Sequence, residues 1–245
     1  MDLRATKLAV RPAGLWVGTA TLVAALLAVA LSVMGQLAHG EQATGVIEGI
    51  VKMTSPPKPV MVKVTTDQPV CGDAVRDETV LAAASGGVAN AVVIVSGVTW
   101  PQDPPPAVIN NKGCLFVPRV QLARLRKPVS VTSEDKTLHT THLYDPKERS
   151  LFNIALPLPG LKINRQIPPI GGAMRIKCDS HNWMLGWLYV TDNLAAVSGS
   201  DGRFRLEAVP AGTYELTVWH EQLKGSPRKV TPSAGRTAEV TFIVQ

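Results

Sequence analysis

The stretch MRIKCDSHNWMLGWLYV, residues 174–190, decides how this 245-residue chain is interpreted. Within it, Cys178, His181 and Met184 follow one another at intervals of three, between a β-like run that ends at Cys178 and another that begins near Trp187. A tight loop with this spacing brings a thiolate, an imidazole and a thioether to one point. Copper selects this combination of soft ligands, whereas Met is a poor ligand for zinc. The loop therefore predicts a copper site.

A second histidine is needed to complete such a site, because electron-transfer copper centres have two His and one Cys in a trigonal arrangement with a weak axial Met. The segment LHTTHLYD offers His139 and His142, just after a strand-like run. On residue type alone, both histidines remain candidates for the fourth ligand.

The two motifs together resemble the cupredoxins, especially the amicyanin and pseudoazurin group. The Cys-x2-His-x2-Met loop lies about forty residues after His-x-x-His, and CLFVPRVQLARLRKPVSVTSEDKTLHTTH follows the cupredoxin order of an F-x-P strand, a basic strand and the first histidine. The resemblance covers roughly residues 112–192. It implies a Greek-key sandwich with one mononuclear, type 1-like copper and favours the first histidine over His142. The implied ligands are His139, Cys178, His181 and Met184.

The resemblance also carries expectations about the surroundings of the ligands. Thr140 follows the first ligand histidine where cupredoxins commonly have Asn, which puts the tie between the two ligand-bearing segments in doubt. Asn182 follows the second histidine in place of a frequent Pro. Electrons usually pass through the exposed edge of that second histidine, so His181 is the expected electron port.

The region after residue 40 is predicted to be all-β, because short runs rich in Val, Ile and Thr alternate with Pro and Gly. Their number and spacing suggest Greek-key sandwiches. The predicted strand runs are residues 45–52, 59–65, 91–98, 117–125, 129–132, 174–178, 187–191, 203–207, 214–220 and 238–244.

The C-terminal stretch SGSDGRFRLEAVPAGTYELTVWHEQL resembles the carboxypeptidase regulatory-like domain, a small transthyretin-like or Ig-like β-sandwich. About fifty residues are too few to close such a sandwich alone. GVIEGIVK and ANAVVIVSGV resemble its opening strands and are expected to complete it, with the copper domain inserted between the two parts. The expected units are 41–110 (N-terminal strands), 111–193 (cupredoxin-like copper domain) and 194–245 (regulatory-like unit).

Residues 1–40 are predicted to be a signal peptide. Arg4, Lys7 and Arg11 precede the apolar run 15–35, and small residues lead to a cut near Gly40. An uncleaved membrane anchor is the alternative, because the run is long enough to span a bilayer. Either interpretation places the protein outside the cytoplasm of a bacterium, periplasmic or secreted, and possibly anchored to the inner membrane.

In such an oxidising compartment, two of the three cysteines are expected to pair and the third to remain unpaired. Cys71 and Cys114 lie in loop-like sequence outside the ligand loop and are expected to form a disulfide that closes a loop of about 43 residues. Cys178 then stays unpaired as a metal ligand.

Charge excludes a nucleic-acid partner. Residues 41–245 carry 22 basic and 18 acidic side chains, and no basic stripe interleaved with aromatic residues occurs. Membrane contact is expected only through the N-terminal segment. A small basic cluster is expected to be a solvated strand face, or else a docking patch for an acidic redox partner: Arg119, Arg124, Arg126 and Lys127.

The predicted function is one-electron transfer to a redox partner protein. No acid/base pair, nucleophile triad or phosphate loop stands out, and a full ligand set leaves copper no open position, so an enzyme is not expected. Copper storage, delivery or resistance is the first alternative. A β-sandwich module that binds carbohydrate or protein without a metal is the second.

Overall fold

Strands make up almost all of the regular secondary structure in the described part of the chain, which confirms the all-β prediction. The structure is a computed structural model that describes residues 43–245, and the predicted signal peptide lies outside them. None of the helices in this part of the chain is long and apolar enough to cross a bilayer. The strands are β1 (Thr44–Lys52), β2 (Met61–Lys63), β3 (Ala74–Arg76), β4 (Val92–Thr99), β5 (Val108–Lys112), β6 (Leu115–Val117), β7 (Val120–Ala123), β8 (Pro128–Ser133), β9 (His139–Tyr144), β10 (Ser150–Leu156), β11 (Lys162–Gln166), β12 (Gly172–Lys177), β13 (Leu185–Val190), β14 (Asn193–Val197), β15 (Arg203–Pro210), β16 (Tyr214–Trp219), β17 (Arg228–Val230) and β18 (Thr237–Ile243).

The first sandwich consists of a five-stranded sheet in the order β10-β9-β12-β13-β7 and a four-stranded sheet in the order β11-β8-β5-β6. Alternate residues of each strand point into one core, as a period of two requires. Phe116 and Val131 enter it from the four-stranded sheet, and Leu143, Ile176 and Leu188 enter it from the five-stranded sheet. This sandwich holds all the predicted metal ligands.

The second sandwich combines a three-stranded sheet, β15-β1-β18, with a four-stranded sheet, β14-β4-β16-β17. Strands from before the first sandwich pair with strands from after it: β1 is antiparallel to β15, and β4 is antiparallel to β16. These are the pairings that a split sandwich requires. Residues 41–110 nevertheless serve both cores, because β2, β3 and β5 belong with the first sandwich. The domain bounds stay a prediction.

Strand β13 belongs to the first sandwich and packs with its other face against the second. In β13, Gly186, Leu188 and Val190 face the first core, whereas Trp187 and Tyr189 point to the opposite face of the sheet. There they pack with Trp219 of β16, with ring centroids 5.4 Å away in both cases. A small third cluster of buried residues fills this interface: Val92, Ile94, Val120 and Ala195. The rear of the sheet that carries the ligand loop is therefore covered by the second sandwich.

A buried ion pair reinforces this interface. Arg119, at the start of β7, donates from Nε to Glu221 Oε1 at 2.7 Å and from Nη2 to Oε2 at 3.0 Å. Its third donor, Nη1, bonds the carbonyl of Leu185 at 3.0 Å. The two charged side chains are only 5% and 2% exposed. Arg119 is therefore not part of a solvated face or a free docking patch, contrary to both expectations for the basic cluster.

A short excursion between β2 and β3 packs against the first sandwich. Its helix α1 (Gln68–Cys71) ends at Cys71, which forms a disulfide with Cys114 as predicted, across a sequence separation of 43. Val64 and Val75, on either side of α1, are buried in the first core. The excursion is thus fixed to the first sandwich by a covalent bond and by apolar packing.

Removing Glu221 is expected to destabilise the protein strongly. In Glu221→Ala, the guanidinium of Arg119 keeps its burial but loses its charge partner, a change that costs about 3–5 kcal/mol in comparable buried pairs. Urea unfolding measures the loss, with Glu239→Ala, an exposed glutamate of β18, as the control. Equal midpoints for the two variants would contradict the assignment.

His220 is expected to make folding stability sensitive to pH. Burial lowers the pKa of its imidazole, and Nδ1 accepts the backbone N–H groups of Gln222 and Leu223 at 3.2 and 3.3 Å. Because the unfolded chain binds the proton more tightly, stability falls as the pH drops below about 6.5, by up to about 1.4 kcal/mol per pH unit. His220→Asn keeps an acceptor and cannot titrate. Urea unfolding of metal-free protein on both sides of this pH should therefore show a smaller loss in the variant than in the natural chain, and identical losses would refute the assignment.

Candidate metal centre

The ligand loop closes the hairpin between β12 and β13. These strands pair as far as Lys177 and Leu185, which leaves residues 178–184 to form the turn. Two hydrogen bonds tighten it: Cys178 N donates to the carbonyl of Met184 at 3.4 Å, and Met184 N donates to the carbonyl of His181 at 3.1 Å. The spacing of two residues between ligands is therefore the spacing of a compact, internally bonded turn.

Strand β9 supplies the histidine from outside the loop. It runs antiparallel to β12, with His142 opposite Lys177, so His139 lies beyond the paired region beside the ligand loop. Residues alternate in and out along β9, which turns His139 inward and His142 to the other face. His142 instead contacts Asp179 at 3.1 Å and Ser150 at 2.8 Å. The structure brings His139, not His142, to the cluster.

Three potential donor atoms converge at this point. His139 Nδ1 and His181 Nδ1 are 3.0 Å apart, and Cys178 Sγ lies 3.6 Å from His181 Nδ1 and 4.0 Å from His139 Nδ1. A point equidistant from the three atoms is about 2.1 Å from each, within the range of about 2.0–2.3 Å for bonds from a first-row metal ion to His and Cys. The donor set therefore fits a single ion without rearrangement.

Each histidine is held from behind by a carboxylate. His139 Nε2 lies 2.9 Å from Asp135 Oδ2, and His181 Nε2 lies 2.9 Å from Asp67 Oδ2. Since a carboxylate accepts the Nε2 proton, each neutral ring presents an unprotonated Nδ1 to the cluster. Burial lowers the pKa of His139, more than its bond to Asp135 raises it, which also keeps that ring neutral.

Thr140 ties the two ligand-bearing segments together in place of the amide that cupredoxins commonly use. Its hydroxyl accepts the backbone N–H of Asp179 at 2.6 Å, and its own backbone N–H donates to Cys178 Sγ at 3.3 Å. The second of these bonds restrains the sulfur from the side of β9. The doubt that the sequence raised at this position is resolved by a threonine that makes both connections.

Met184 is the last residue of the ligand loop and is buried there. Its side chain is buried, with the residue 1% exposed, and it belongs to the same core cluster as Cys178. Cys178 is free of any disulfide and buried. All four predicted ligands thus lie in or beside one turn, and the role of Met184 as a ligand stays a prediction.

The expected electron port at His181 is wrong for this structure. The residue has no exposed surface, because Asp67 covers its Nε2 edge and the indole of Trp183 lies 5.0 Å from its ring. Trp183 is itself fixed by a bond from Nε1 to the carbonyl of Cys114 at 3.1 Å. The cause is the excursion that carries Asp67, a segment beyond the predicted strand 59–65 for which the sequence predicted no contact with His181.

Two carboxylates were missed by sequence reasoning. Asp135 was visible four residues before His139, but nothing in the sequence marked it as a partner; it also accepts the backbone N–H groups of Gly113 and Cys114, both at 2.8 Å. Asp67 lies 114 positions from His181 and gave no signal at all. A sequence pattern reveals neighbours within a turn, and these contacts depend on the fold.

Two of the other three members of the basic cluster form local ion pairs, whereas Arg126 is exposed and forms none within residues 43–245. Arg124 and Lys127 both contact Asp103, and Arg124 also contacts Asp192. Their charge is therefore partly neutralised by neighbouring acids. The basic cluster gives little support to a docking patch.

Part of the second sandwich is similar to a known protein family. Residues 194–240 match a protein family described as polysaccharide lyase family 4, domain II. A search of curated proteins finds no match. The matched segment is less than half of the chain and leaves its family open.

Several solved cupredoxin structures are similar to part of the chain. A purple cupredoxin from Nitrosopumilus maritimus is 20% identical, with a TM-score of 0.30, and the match covers 34% of this chain and 96% of that one. The reduced Cu(I) form of an amicyanin mutant is 11% identical, with a TM-score of 0.32 and coverage of 40% and 98%. A copper-containing nitrite reductase from Thermus scotoductus SA-01 is 20% identical, with a TM-score of 0.28, and only 23% of that chain is covered, against 37% of this one. These values are too low to assign a function.

Removing the Thr140 hydroxyl is expected to loosen the ligand loop. In Thr140→Val, the backbone N–H of Asp179 loses its acceptor, so its hydrogen exchange in the metal-free protein should become about tenfold faster, as for the loss of about 1–1.5 kcal/mol of hydrogen bonding. Thr140→Ser retains the hydroxyl and should exchange like the natural protein. Unchanged exchange at Asp179 in the valine variant would show that the tie has no energetic role.

Proposed function

We propose that the protein binds one copper ion through His139, Cys178, His181 and Met184 and transfers single electrons. One observation carries the proposal: two imidazole Nδ1 atoms and a cysteine sulfur, all buried, converge at the separation that one metal ion spans. Both rings have their other nitrogen bound to a carboxylate. Two lone pairs 3.0 Å apart repel each other, and a cation between them removes that cost.

The chemical types of the donors favour copper. A thiolate with two imidazoles and a thioether is the set found in trigonal electron-transfer copper sites, in which the axial thioether is weak. Met184 is buried in the ligand loop, where it is available for that role. Bound copper would supply the one-electron couple between Cu(I) and Cu(II).

The residues around the donors fix them in position before and after the transfer of an electron. The loop hydrogen bonds, the Thr140 tie and the two carboxylates restrain Cys178, His139 and His181 from independent directions. A site that moves little on a change of charge avoids reorganisation, and hydrogen bonds to the sulfur tune the potential.

A catalytic role is not proposed. His139 and His181 have no exposed surface and Cys178 is 1% exposed, so nothing the size of a substrate reaches the donor atoms. Electron transfer needs no such access, because an electron crosses a short distance through packed protein.

The alternatives have weaker support. Copper storage or delivery requires that the ion leave readily, whereas these donors are buried and anchored by carboxylates. A carbohydrate- or protein-binding role for the second sandwich would leave the convergence of donors in the first sandwich unexplained.

Location and partner are parts of the same proposal. The disulfide between Cys71 and Cys114 supports an oxidising compartment, such as the periplasm or the exterior of a bacterium. The partner is a redox protein that exchanges one electron with the site. Anchoring to the inner membrane would depend on residues 1–40.

Copper loading gives the direct test. Addition of Cu(II) to the purified protein is expected to produce intense thiolate-to-copper absorption in the visible range, because Cys178 would bind through its sulfur. Cys178→Ala should abolish the absorption. His142→Ala is the matched control, since His142 lies on the outer face of β9, and it should leave the absorption intact. A colourless natural protein, or loss of colour in the His142 variant alone, would overturn the proposed ligand set.

A further inference from the structure

The segment between β2 and β3 closes over the metal centre. We propose that residues 64–73, termed the cap, shut the outer edge of His181 and that Asp67 is the positioning residue that holds this imidazole. The proposal rests on the proposed copper function and differs from it, because it concerns how the site is enclosed. It also departs from the exposed histidine edge that the cupredoxin resemblance implies.

The cap is fixed to the first sandwich at both ends. Val64 is completely buried in the first core, and its backbone N–H bonds the carbonyl of Asp73 at 2.9 Å, which closes the base of the cap. Cys71 joins it to Cys114 by the disulfide. A segment held in this way stays on the protein surface without needing the bond to the histidine.

Asp67 is at the turn of the cap that faces the metal centre. Its backbone is in the left-handed region, with a φ of 53°, and its carbonyl accepts the N–H groups of Val70 and Cys71, both at 2.9 Å. A non-glycine residue in this region carries a backbone cost that tends to occur at functional sites. The conformation aims the carboxylate at His181 Nε2, 2.9 Å away.

A further contact joins the cap to the ligand loop itself. The hydroxyl of Thr66, the residue before Asp67, lies 3.5 Å from the carbonyl of Ser180, the residue before His181. Two consecutive residues of the cap, Thr66 and Asp67, therefore contact two consecutive residues of the ligand loop, Ser180 and His181.

The enclosure has two consequences for a bound metal. The carboxylate draws the Nε2 proton of His181, which makes the ring a stronger donor and favours the more highly charged Cu(II) over Cu(I). The cap also separates the ring from any partner by one layer of protein. Asp67 should therefore lower the reduction potential and slow exchange through this edge.

Two substitutions separate these consequences. Asp67→Asn keeps the shape and an acceptor oxygen but removes the charge. Asp67→Gly removes the side chain, and its backbone remains free to keep a φ of 53°, because glycine adopts positive φ without strain. Asp73→Asn is the control, since Asp73 is an exposed acid on the same cap whose side chain forms no hydrogen bond or ion pair with any residue of 43–245.

The metal-free protein provides the first readout. In imidazole NMR spectra, the Nε2 proton of His181 should be protected from exchange with water in the natural protein, in Asp67→Asn and in the Asp73 control. It should lose that protection in Asp67→Gly. Equal protection in the natural protein and in Asp67→Gly would overturn the inference, and this result does not depend on copper binding.

The copper-loaded protein provides the second. Asp67→Asn is expected to shift the midpoint potential to more positive values, and Asp67→Gly is expected to raise the electron self-exchange rate several-fold, with visible absorption retained in both variants. The Asp73 control should match the natural protein in each measurement. Absorption that is retained with an unchanged potential and rate would overturn the role of Asp67 while leaving the copper site intact. Absence of absorption in the natural protein would instead reject the proposed function, and the NMR result would still decide whether Asp67 holds His181.

Discussion

The burial of three potential donor atoms at one point is the constraint on which the candidate metal centre depends. A sulfur and two imidazole nitrogens lie 3.0 to 4.0 Å apart without solvent contact, and polar atoms buried in this way need neighbours that restrain them and satisfy their hydrogen bonds. Each of the three donor residues has its own hydrogen-bond partner that holds it in place. Asp135 and Asp67 orient the rings, and Thr140 supplies a hydrogen bond to the sulfur. Under the proposed function, a bound cation would offset the remaining cost of burying these atoms.

The two-sandwich architecture supports this restraint from behind. The ligand loop is a turn between β12 and β13, so its precision is limited by how firmly β13 is held. One face of β13 lies in the first core, and the other carries Trp187 and Tyr189 into the interface with β16. Arg119 links the base of the loop, at the carbonyl of Leu185, to Glu221 beyond β16. The second sandwich thus restrains the ligand loop through β13 and Arg119.

Local features of the site could be predicted from the sequence, and distant ones could not. The positions of Cys178, His181 and Met184 follow from the geometry of one turn, and the disulfide follows from elimination among three cysteines in an oxidising compartment. The inward direction of His139 follows from the alternation of β9, although the sequence pattern placed this histidine after a strand. The predicted runs omitted β3, β5, β9, β10, β11, β14 and β17 and reached β6 only at its last residue. Most of these strands are short or rich in polar residues, which weakens the signal of a period of two.

The exposure of His181 shows why contacts between distant residues could not be predicted from the sequence. Its exposure depends on Asp67, which is 114 positions away and is brought there by a disulfide and by the packing of Val64. Spacing within a motif carries no information about such a contact. The disulfide was predicted correctly, yet its consequence was missed, because a pairing of cysteines does not reveal which surface the enclosed loop will cover. Here the loop covers His181, the predicted ligand. The disulfide that stabilises the fold therefore also keeps this histidine away from solvent. Val64 and Cys71 of the cap both belong to the first core, so moving the cap away from His181 would disturb that core. For this reason the cap is a fixed wall of the candidate centre and not a moving lid.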